Sequence, residues 1–338
     1  MSTTVFITGA NGEIGHGLIQ YLSDQDDVRI VALDLHPIDP TIAKRCAETV
    51  VGDILDPSVL QRLSSGHEFS AIYHLAALLS TRSEKEPLLA HRVNVDGMLN
   101  ILELANTQSK LQGRSVMVLY PSSIAVYGMP SLKAKELAGA VREPDWCQPR
   151  TMYGINKLYC EHLGGYYSDH YRQLDMSPAG PRVDVRCIRF PGLISAHTLP
   201  TGGTSDFGPE MLHAAAQKKP YACFVRADSR IPFMAMPDAV RALLKLAGAP
   251  SSRLTQRSYN IGAFNPSAGE FADLVRDAFP GAEITFEPDV RRQAIVDSWP
   301  ADVDASAAAR DWDFKPAYSL KRAFDEYLVP AVRERYKA

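Results

Sequence analysis

The chain has 338 residues, of which 46% are hydrophobic, and a formal charge of −3. That length buries a sizeable core, as one large domain or two unequal ones. A pI near 6.3 gives no electrostatic case for nucleic acid or an anionic membrane as partner, and no apolar run reaches the roughly eighteen residues of a spanning helix. Cys46, Cys147, Cys160, Cys187 and Cys223 are an odd set without CxxC pairing. That suits reduced thiols. With no basic-plus-apolar leader ahead of the first strand, a cytoplasmic location is expected.

In chain order, a strand at 4–8 runs into Gly9-Ala10-Asn11-Gly12-Glu13-Ile14-Gly15 and a helix at 13–23. A strand, a GxxGxxG turn and a helix bring backbone N–H groups and a positive helix end to one point, where bare glycines let a pyrophosphate approach. A second strand at 28–33 ends at Asp34, nineteen residues beyond Gly15. A carboxylate there accepts hydrogen bonds from adenosine ribose hydroxyls and repels a 2′-phosphate, so NAD is expected over NADP. Asp53 and Ile54 follow the third strand, where they can flank the adenine, and a helix is read at 56–63. A strand at 72–75 ends in Leu75-Ala76-Ala77, small enough for a cofactor to lie against the backbone. His74 reads as a packed or capping histidine.

The acidic Ser83-Glu84-Lys85-Glu86 precedes a helix at about 87–108, as a helix N-terminus favours. Within it, Asn94 reads equally as a bridge to active-site water or as an ordinary helix-interior amide. A strand at 115–120 leads to Ser122-Ser123, a loop-like insertion spans 131–150, and a helix is read at 153–173. A turn-rich loop at 175–182 and a strand at 183–190 follow. The texture changes at Gly192, with Pro200-Thr201-Gly202-Gly203-Thr204 as loop and one later strand at 258–261. Alternating strands and helices predict an α/β fold, a Rossmann-type doubly wound parallel sheet. The dinucleotide domain is expected over 1–190 with a returning strand near 235–262, and a smaller mixed α/β substrate region over 191–234 and 263–338.

Oxidising a secondary alcohol requires a base for the O–H proton while hydride leaves the same carbon. A tyrosine with its pKa of about 10 is a poor neutral-pH base, but a lysine one helical turn away stabilises the phenolate. Tyr153 and Lys157 have that spacing, Lys157 can also hold nicotinamide ribose hydroxyls, and Ser123 can orient the substrate oxygen. No HExxH, cysteine cluster or grouped histidines imply a metal.

The whole chain resembles the extended short-chain dehydrogenases, the group that includes nucleotide-sugar epimerases, and several stretches resemble its L-threonine 3-dehydrogenases. They are Leu75-Ala76-Ala77-Leu78-Leu79-Ser80, Pro121-Ser122-Ser123-Ile124-Ala125-Val126-Tyr127-Gly128, Arg189-Phe190-Pro191-Gly192-Leu193-Ile194-Ser195, Gly202-Gly203-Thr204-Ser205-Asp206-Phe207, Arg292-Gln293-Ala294-Ile295-Val296-Asp297-Ser298-Trp299-Pro300 and Ala309-Arg310-Asp311-Trp312. The resemblance implies NAD-dependent oxidation of L-threonine to 2-amino-3-oxobutyrate. It implies Tyr153 and Pro191 near the cofactor, and Ser80, Thr204 and Trp299 beside Ser123 and Tyr153 in the amino-acid pocket. It also implies a homodimer through a four-helix bundle built from 87–108 and 153–173. The family's loop usually reads GGGTTDY; here Phe207 lacks the tyrosine hydroxyl, and Ala235 in Phe233-Met234-Ala235-Met236 replaces a bulkier residue. Alternatives are therefore another β-hydroxy substrate, or a nucleotide-sugar epimerase or dehydratase that keeps its NAD and returns the hydride.

Overall fold

The computed structural model describes residues 3–175, 180–200 and 202–337; Thr201 and the centre of the 175–182 loop lie outside them. The principal sheet has seven strands: β1 (Thr3–Thr8), β2 (Val28–Asp34), β3 (Glu48–Val51), β4 (Phe69–His74), β5 (Met117–Ser123), β6 (Asp184–Phe190) and β7 (Ser258–Asn260). Their spatial order is β7-β6-β5-β4-β1-β2-β3. β1 pairs in parallel with β2 and β4, β2 with β3, and β4 with β5. This is the Rossmann-type sheet expected from the alternating pattern. The chain winds from β1 out to β3 and returns on the other side of β1 as β4. The carboxyl ends of β1 and β4 therefore flank the topological switch point, where open α/β sheets bind their ligands.

Both faces of the strands are covered. Phe6, Ile7, Val31, Ala32, Ile72, Val118 and Leu119 are all buried, and each large apolar side chain contributes about 1.5–3 kcal/mol on burial. The helix Glu13–Ser23 turns Gly15, Leu18, Ile19 and Leu22 inward at helical spacing. The helix Pro57–Gly66 starts at Asp56, whose carboxylate accepts the Ser58 N–H, with proline at the first position.

The expected helix at 87–108 runs as Pro87–His91, a π-helical turn Arg92–Asp96, and Gly97–Gln112. It ends where Gly113 turns left-handed at φ 67°. The expected helix at 153–173 runs as Met152–Gly165 followed by a π-helical turn Tyr166–His170. Two readings need correction. Residues Ser80–Lys85, read as the approach to a helix, form a short helix of their own. The 131–150 insertion is not all loop: Ser131 accepts the Ala134 N–H and caps a helix Leu132–Ala138, and Ala140–Val141 pairs with Asp302–Val303.

By compactness the chain divides into a first unit (Met1–Ser122, Ile155–Ile188, Ala242–Ser258) and a second (Ser123–Gly154, Arg189–Arg241, Tyr259–Ala338). The sequence boundary at 190 follows glycine and proline texture. Residues 123–154 group with the second unit because Ala140–Val141 finds its strand partner at 302–303. Among the described residues, no helix is long and apolar enough to cross a membrane, and no group of three His, Cys, Asp or Glu is placed to hold a metal.

Candidate active site

In the first unit, the three glycines after β1 have different tasks. Gly9 has φ +65°, and a Cβ there would lie 2.6 Å from the Ala76 nitrogen and 2.8 Å from the Leu75 carbonyl carbon. Only glycine lets β1 and β4 close on each other. A Cβ on Gly15 would lie 2.4 Å from the Ala10 oxygen, so this glycine seats the helix Glu13–Ser23 on the turn. Gly12 is exposed, and a Cβ would meet only the Gly9 oxygen at 3.2 Å. No side chain caps the helix at Gly12, and Glu13 and Ile14 form its first turn, leaving room for an anion at the positive helix end.

Asp34 stands at the end of β2 with Oδ2 accepting the Asn11 N–H at 2.9 Å and Oδ1 the His36 N–H at 3.2 Å. Asn11 ties the glycine turn to the loop after β2: its Oδ1 accepts the Asp39 N–H at 3.1 Å, and its Nδ2 donates to the Pro37 carbonyl at 3.3 Å. Asp53 closes its own turn by accepting the Leu55 N–H at 2.9 Å. Ile54 is buried, and a Cβ on Gly97 would lie 2.5 Å from its Cδ1. Leu75, Ala76 and Ala77 are half-buried after β4. Asn94 is buried in the π-helical turn, accepting the Leu78 N–H at 2.8 Å and donating to the Leu78 carbonyl at 3.1 Å. Its amide thereby fixes the segment after β4. A cradle that any Cβ would fill, a carboxylate at the end of β2 and an open helix N-terminus fit a dinucleotide.

His74 is packed, as expected, with Nδ1 2.8 Å from the Thr8 hydroxyl. Burial, helped by the Lys157 charge, holds it down to about 3. Between about 3 and its ordinary 6.5 the unfolded chain binds a proton that the folded chain refuses, so stability falls as pH drops through that window. The slope attributable to this one group is at most about 1.4 kcal/mol per pH unit. Thermal melts between pH 7 and 5 should show His74→Gln losing less stability on acidification than the wild type; parallel curves would refute the assignment.

Ser123 ends β5 and its Oγ accepts the Ala125 N–H at 3.2 Å. Tyr153 is half-buried on the helix Met152–Gly165 and hydrogen-bonds Ser123. Burial pushes its phenol above the ordinary value, and the Ser123 bond pulls it back. Lys157 follows one turn along the same helix. Burial pushes its ammonium down to about 8, opposed by Cys160, Cys187 and Glu161. Its Nζ donates to the Pro121 carbonyl at 2.6 Å and lies 4.4 Å from the Tyr120 ring centre. Two residues escaped the sequence reading. Glu161 is buried one turn beyond Lys157 and accepts a hydrogen bond from the Ser122 hydroxyl; its signal in the sequence is the repeated i+4 spacing. Tyr120 gives Lys157 its aromatic floor, and nothing in the pattern marked it.

In the second unit, Pro191 is buried between β6 and the short strand Gly192–Ile194. Thr204 is buried in a turn closed by the Gly203 N–H on Asp206 Oδ2 at 2.7 Å, while Arg292 Nη2 donates to the Gly203 carbonyl at 2.9 Å. Trp299 is only 5% exposed and follows the helix Val290–Ser298. Phe207 and Ala235 are fully buried. Phe207 meets Phe224 and Phe233 edge-on at 6.1 and 5.5 Å, aromatic packing in which it needs no hydroxyl. In the first unit, Ser80 opens the helix Ser80–Lys85.

A Rossmann sheet with a glycine cradle at its switch point, followed by a Ser–Tyr pair and a lysine four residues on, defines a nicotinamide-dependent enzyme. The chain belongs to the NAD-dependent epimerase/dehydratase family, which it matches over residues 5–262. It is 33% identical over 318 residues to the mitochondrial L-threonine 3-dehydrogenase of Bos taurus, covering 94% of this chain and 79% of that one. An L-threonine dehydrogenase structure from Clostridium difficile superposes with a TM-score of 0.86 at 30% identity, covering 100% of this chain and 99% of the other. A monomeric L-threonine 3-dehydrogenase of metagenomic origin gives 0.85 at 32% identity, covering 98% of this chain and 100% of the other. The cofactor is NAD. Removing the carboxylate by Asp34→Ala should weaken NAD binding about ten- to hundredfold, the worth of charged hydrogen bonds, and lift the bias against NADP. Titration of both dinucleotides checks this, and an unchanged preference would remove Asp34 from the ribose site.

Proposed function

We propose that the protein oxidises the 3-hydroxyl of L-threonine to 2-amino-3-oxobutyrate. The observation that supports it most is the near-full-length identity to L-threonine 3-dehydrogenases, joined to the hydrogen-bonded Ser123–Tyr153 pair. NAD, when bound, accepts the hydride from C3 and is reduced to NADH. Gly9, Asn11, Gly12, Glu13, Ile14 and Gly15 receive the pyrophosphate, Asp34 the adenosine ribose, and Asp53 and Ile54 flank the adenine. Leu75, Ala76, Ala77, Asn94 and Pro191 shape the rest of the cofactor site. Tyr153 takes the O–H proton, Ser123 orients the hydroxyl, and Lys157 stabilises the phenolate and holds the nicotinamide ribose. Ser80, Thr204 and Trp299 are the residues proposed for the amino acid, with the serine and threonine hydroxyls suited to a small zwitterion.

The test is NADH formation by the purified protein with NAD and L-threonine, against L-allo-threonine, L-serine and buffer. Turnover on L-threonine is expected. Its absence, with NAD copurifying and no net NADH, would overturn the reading in favour of an epimerase or dehydratase that returns its hydride.

The cytoplasm is the proposed location, supported by five free cysteines. A homodimer is proposed through the segments 87–112 and 152–170, supported by exposed Leu88, Leu99, Ile155, Tyr159 and Tyr166. Sedimentation should give twice the 37.2 kDa chain mass; a monomer, as the metagenomic relative is described, would overturn the dimer.

A further inference from the structure

Residues 139–150 form a strap in the second unit. Its start is a strand pair, Ala140–Val141 on Asp302–Val303. Its middle is pinned by a buried polar network. Asn260 Nδ2 donates to the Val141 carbonyl at 3.0 Å, and Glu143 Oε1 accepts the Asn260 N–H at 2.9 Å. Arg189 Nη1 donates to the Glu143 carbonyl at 2.6 Å and to the Tyr127 hydroxyl at 2.9 Å, and that hydroxyl donates to Asn260 Oδ1 at 2.7 Å. Tyr127, Arg189 and Asn260 are all buried.

The far end of the strap presses on two glycines. The Gly128 N–H donates to the Trp146 carbonyl at 2.8 Å, and a Cβ on Gly128 would lie 1.7 Å from the Gln148 oxygen. A Cβ on Gly154 would lie 2.0 Å from the Ala125 oxygen and 2.9 Å from Pro149 Cβ. Gly154 follows Tyr153 directly, and its N–H is held by Thr151 Oγ1 at 3.1 Å. Ala125 is the residue whose N–H is held by Ser123 Oγ. The Ser123 turn, the first turn of the Tyr153 helix and the strap therefore close on one another with no room for a methyl group.

We propose that Tyr127, Arg189 and Asn260 are positioning residues for the reaction: by fixing the strap they hold the Ser123 and Tyr153 hydroxyls within reach of each other. The proposal rests on Tyr153 being the base. A satisfied buried network specifies one geometry where an apolar contact would tolerate several. A misplacement of about 1 Å at a reacting pair costs up to a hundredfold in rate.

The test is Tyr127→Phe, with Tyr259→Phe as control. Tyr259 also donates a buried hydroxyl, to Asp311 rather than to the strap, at 2.8 Å, so its loss costs stability of the same kind without cutting a bond of the network. Protein loaded with NAD and labelled at tyrosine 13Cζ gives a Tyr153 resonance, assigned by its disappearance in Tyr153→Phe, that reports the phenol's hydrogen bonding and ionisation without any substrate. Tyr127→Phe should displace this resonance, lower kcat about tenfold and move the pH–rate midpoint up by about one unit, with KM for NAD unchanged. Tyr259→Phe should do none of these. A Tyr153 resonance in Tyr127→Phe identical to wild type overturns the proposal. A displaced resonance in a protein that ignores L-threonine rejects the substrate and keeps the positioning network. Should Tyr127→Phe not fold, Asn260→Ser cuts the same link from the strand side and is read by the same two measurements.

Discussion

Tyr153→Phe should lower NADH formation by about 10²–10⁴-fold, the usual worth of a positioned acid–base group, while NAD binds as before. The substitution removes one oxygen and leaves the ring packing intact. Losing the Ser123 hydrogen bond costs about 1 kcal/mol, which amounts to a few degrees in Tm. The separation of the two effects is the informative part. A protein that only bound NAD would keep its function, and a dehydrogenase with its base elsewhere would keep its turnover. Steady-state absorbance at saturating NAD, with calorimetry for NAD affinity, reads both. Turnover above about a tenth of wild type would remove Tyr153 as the base. The ligand-free phenol is held above its ordinary value by burial, so wild-type activity should also rise with pH on the acid side of its optimum, where deprotonation limits the rate.

The sheet and the glycine cradle were legible because both are local. β1, β2, β4 and β5 announce themselves as apolar runs bounded by turns, whereas β3, Glu48-Thr49-Val50-Val51, does not, and Gly9, Gly12, Gly15 and Asp34 lie within one β-α-β unit. The Tyr153–Lys157 pair was legible for the same reason, being one helical turn. What escaped depends on distant partners. Ala140–Val141 is too short to read as a strand and becomes one only by pairing with Asp302–Val303. The Ser122–Glu161 bond joins the end of a strand to the third turn of a helix, and the ring of Tyr120 lies under Lys157 through sheet geometry that no spacing records. The π-helical turn at Arg92–Asp96 has no sequence mark, yet it is what turns Asn94 onto the Leu78 backbone. Phe207 shows another limit: the sequence records only the missing hydroxyl, and the packing of its ring against Phe224 and Phe233 depends on distant partners.

Two of the cradle glycines should separate folding from dinucleotide binding. Gly9→Ala forces an L side chain to φ +65°, at about 1–2 kcal/mol. It also drives a methyl group to within 2.6 Å of the Ala76 nitrogen. The obstacle is the backbone of Leu75 and Ala76 directly after β4, which cannot swing aside as a side chain could, so relief requires the ends of β1 and β4 to part. Overpacking of that kind adds about 1–3 kcal/mol, for a total of about 2–5 kcal/mol, and the opening should displace the amides proposed to receive the pyrophosphate. Gly12→Ala is the counterpart. Gly12 has φ −75°, lies exposed, and would meet only the Gly9 oxygen at 3.2 Å. Gly12 is the N-cap of the helix, so its change to alanine should cost only about 1 kcal/mol, well below Gly9→Ala, yet the methyl group should occupy the space above the helix N-terminus proposed for the dinucleotide, lowering NAD affinity at least tenfold. Equal destabilisation by both variants would show that the turn is purely structural. Wild-type NAD affinity in Gly12→Ala would move the pyrophosphate away from this helix end, and with it the basis for placing the cofactor at the β1/β4 switch point.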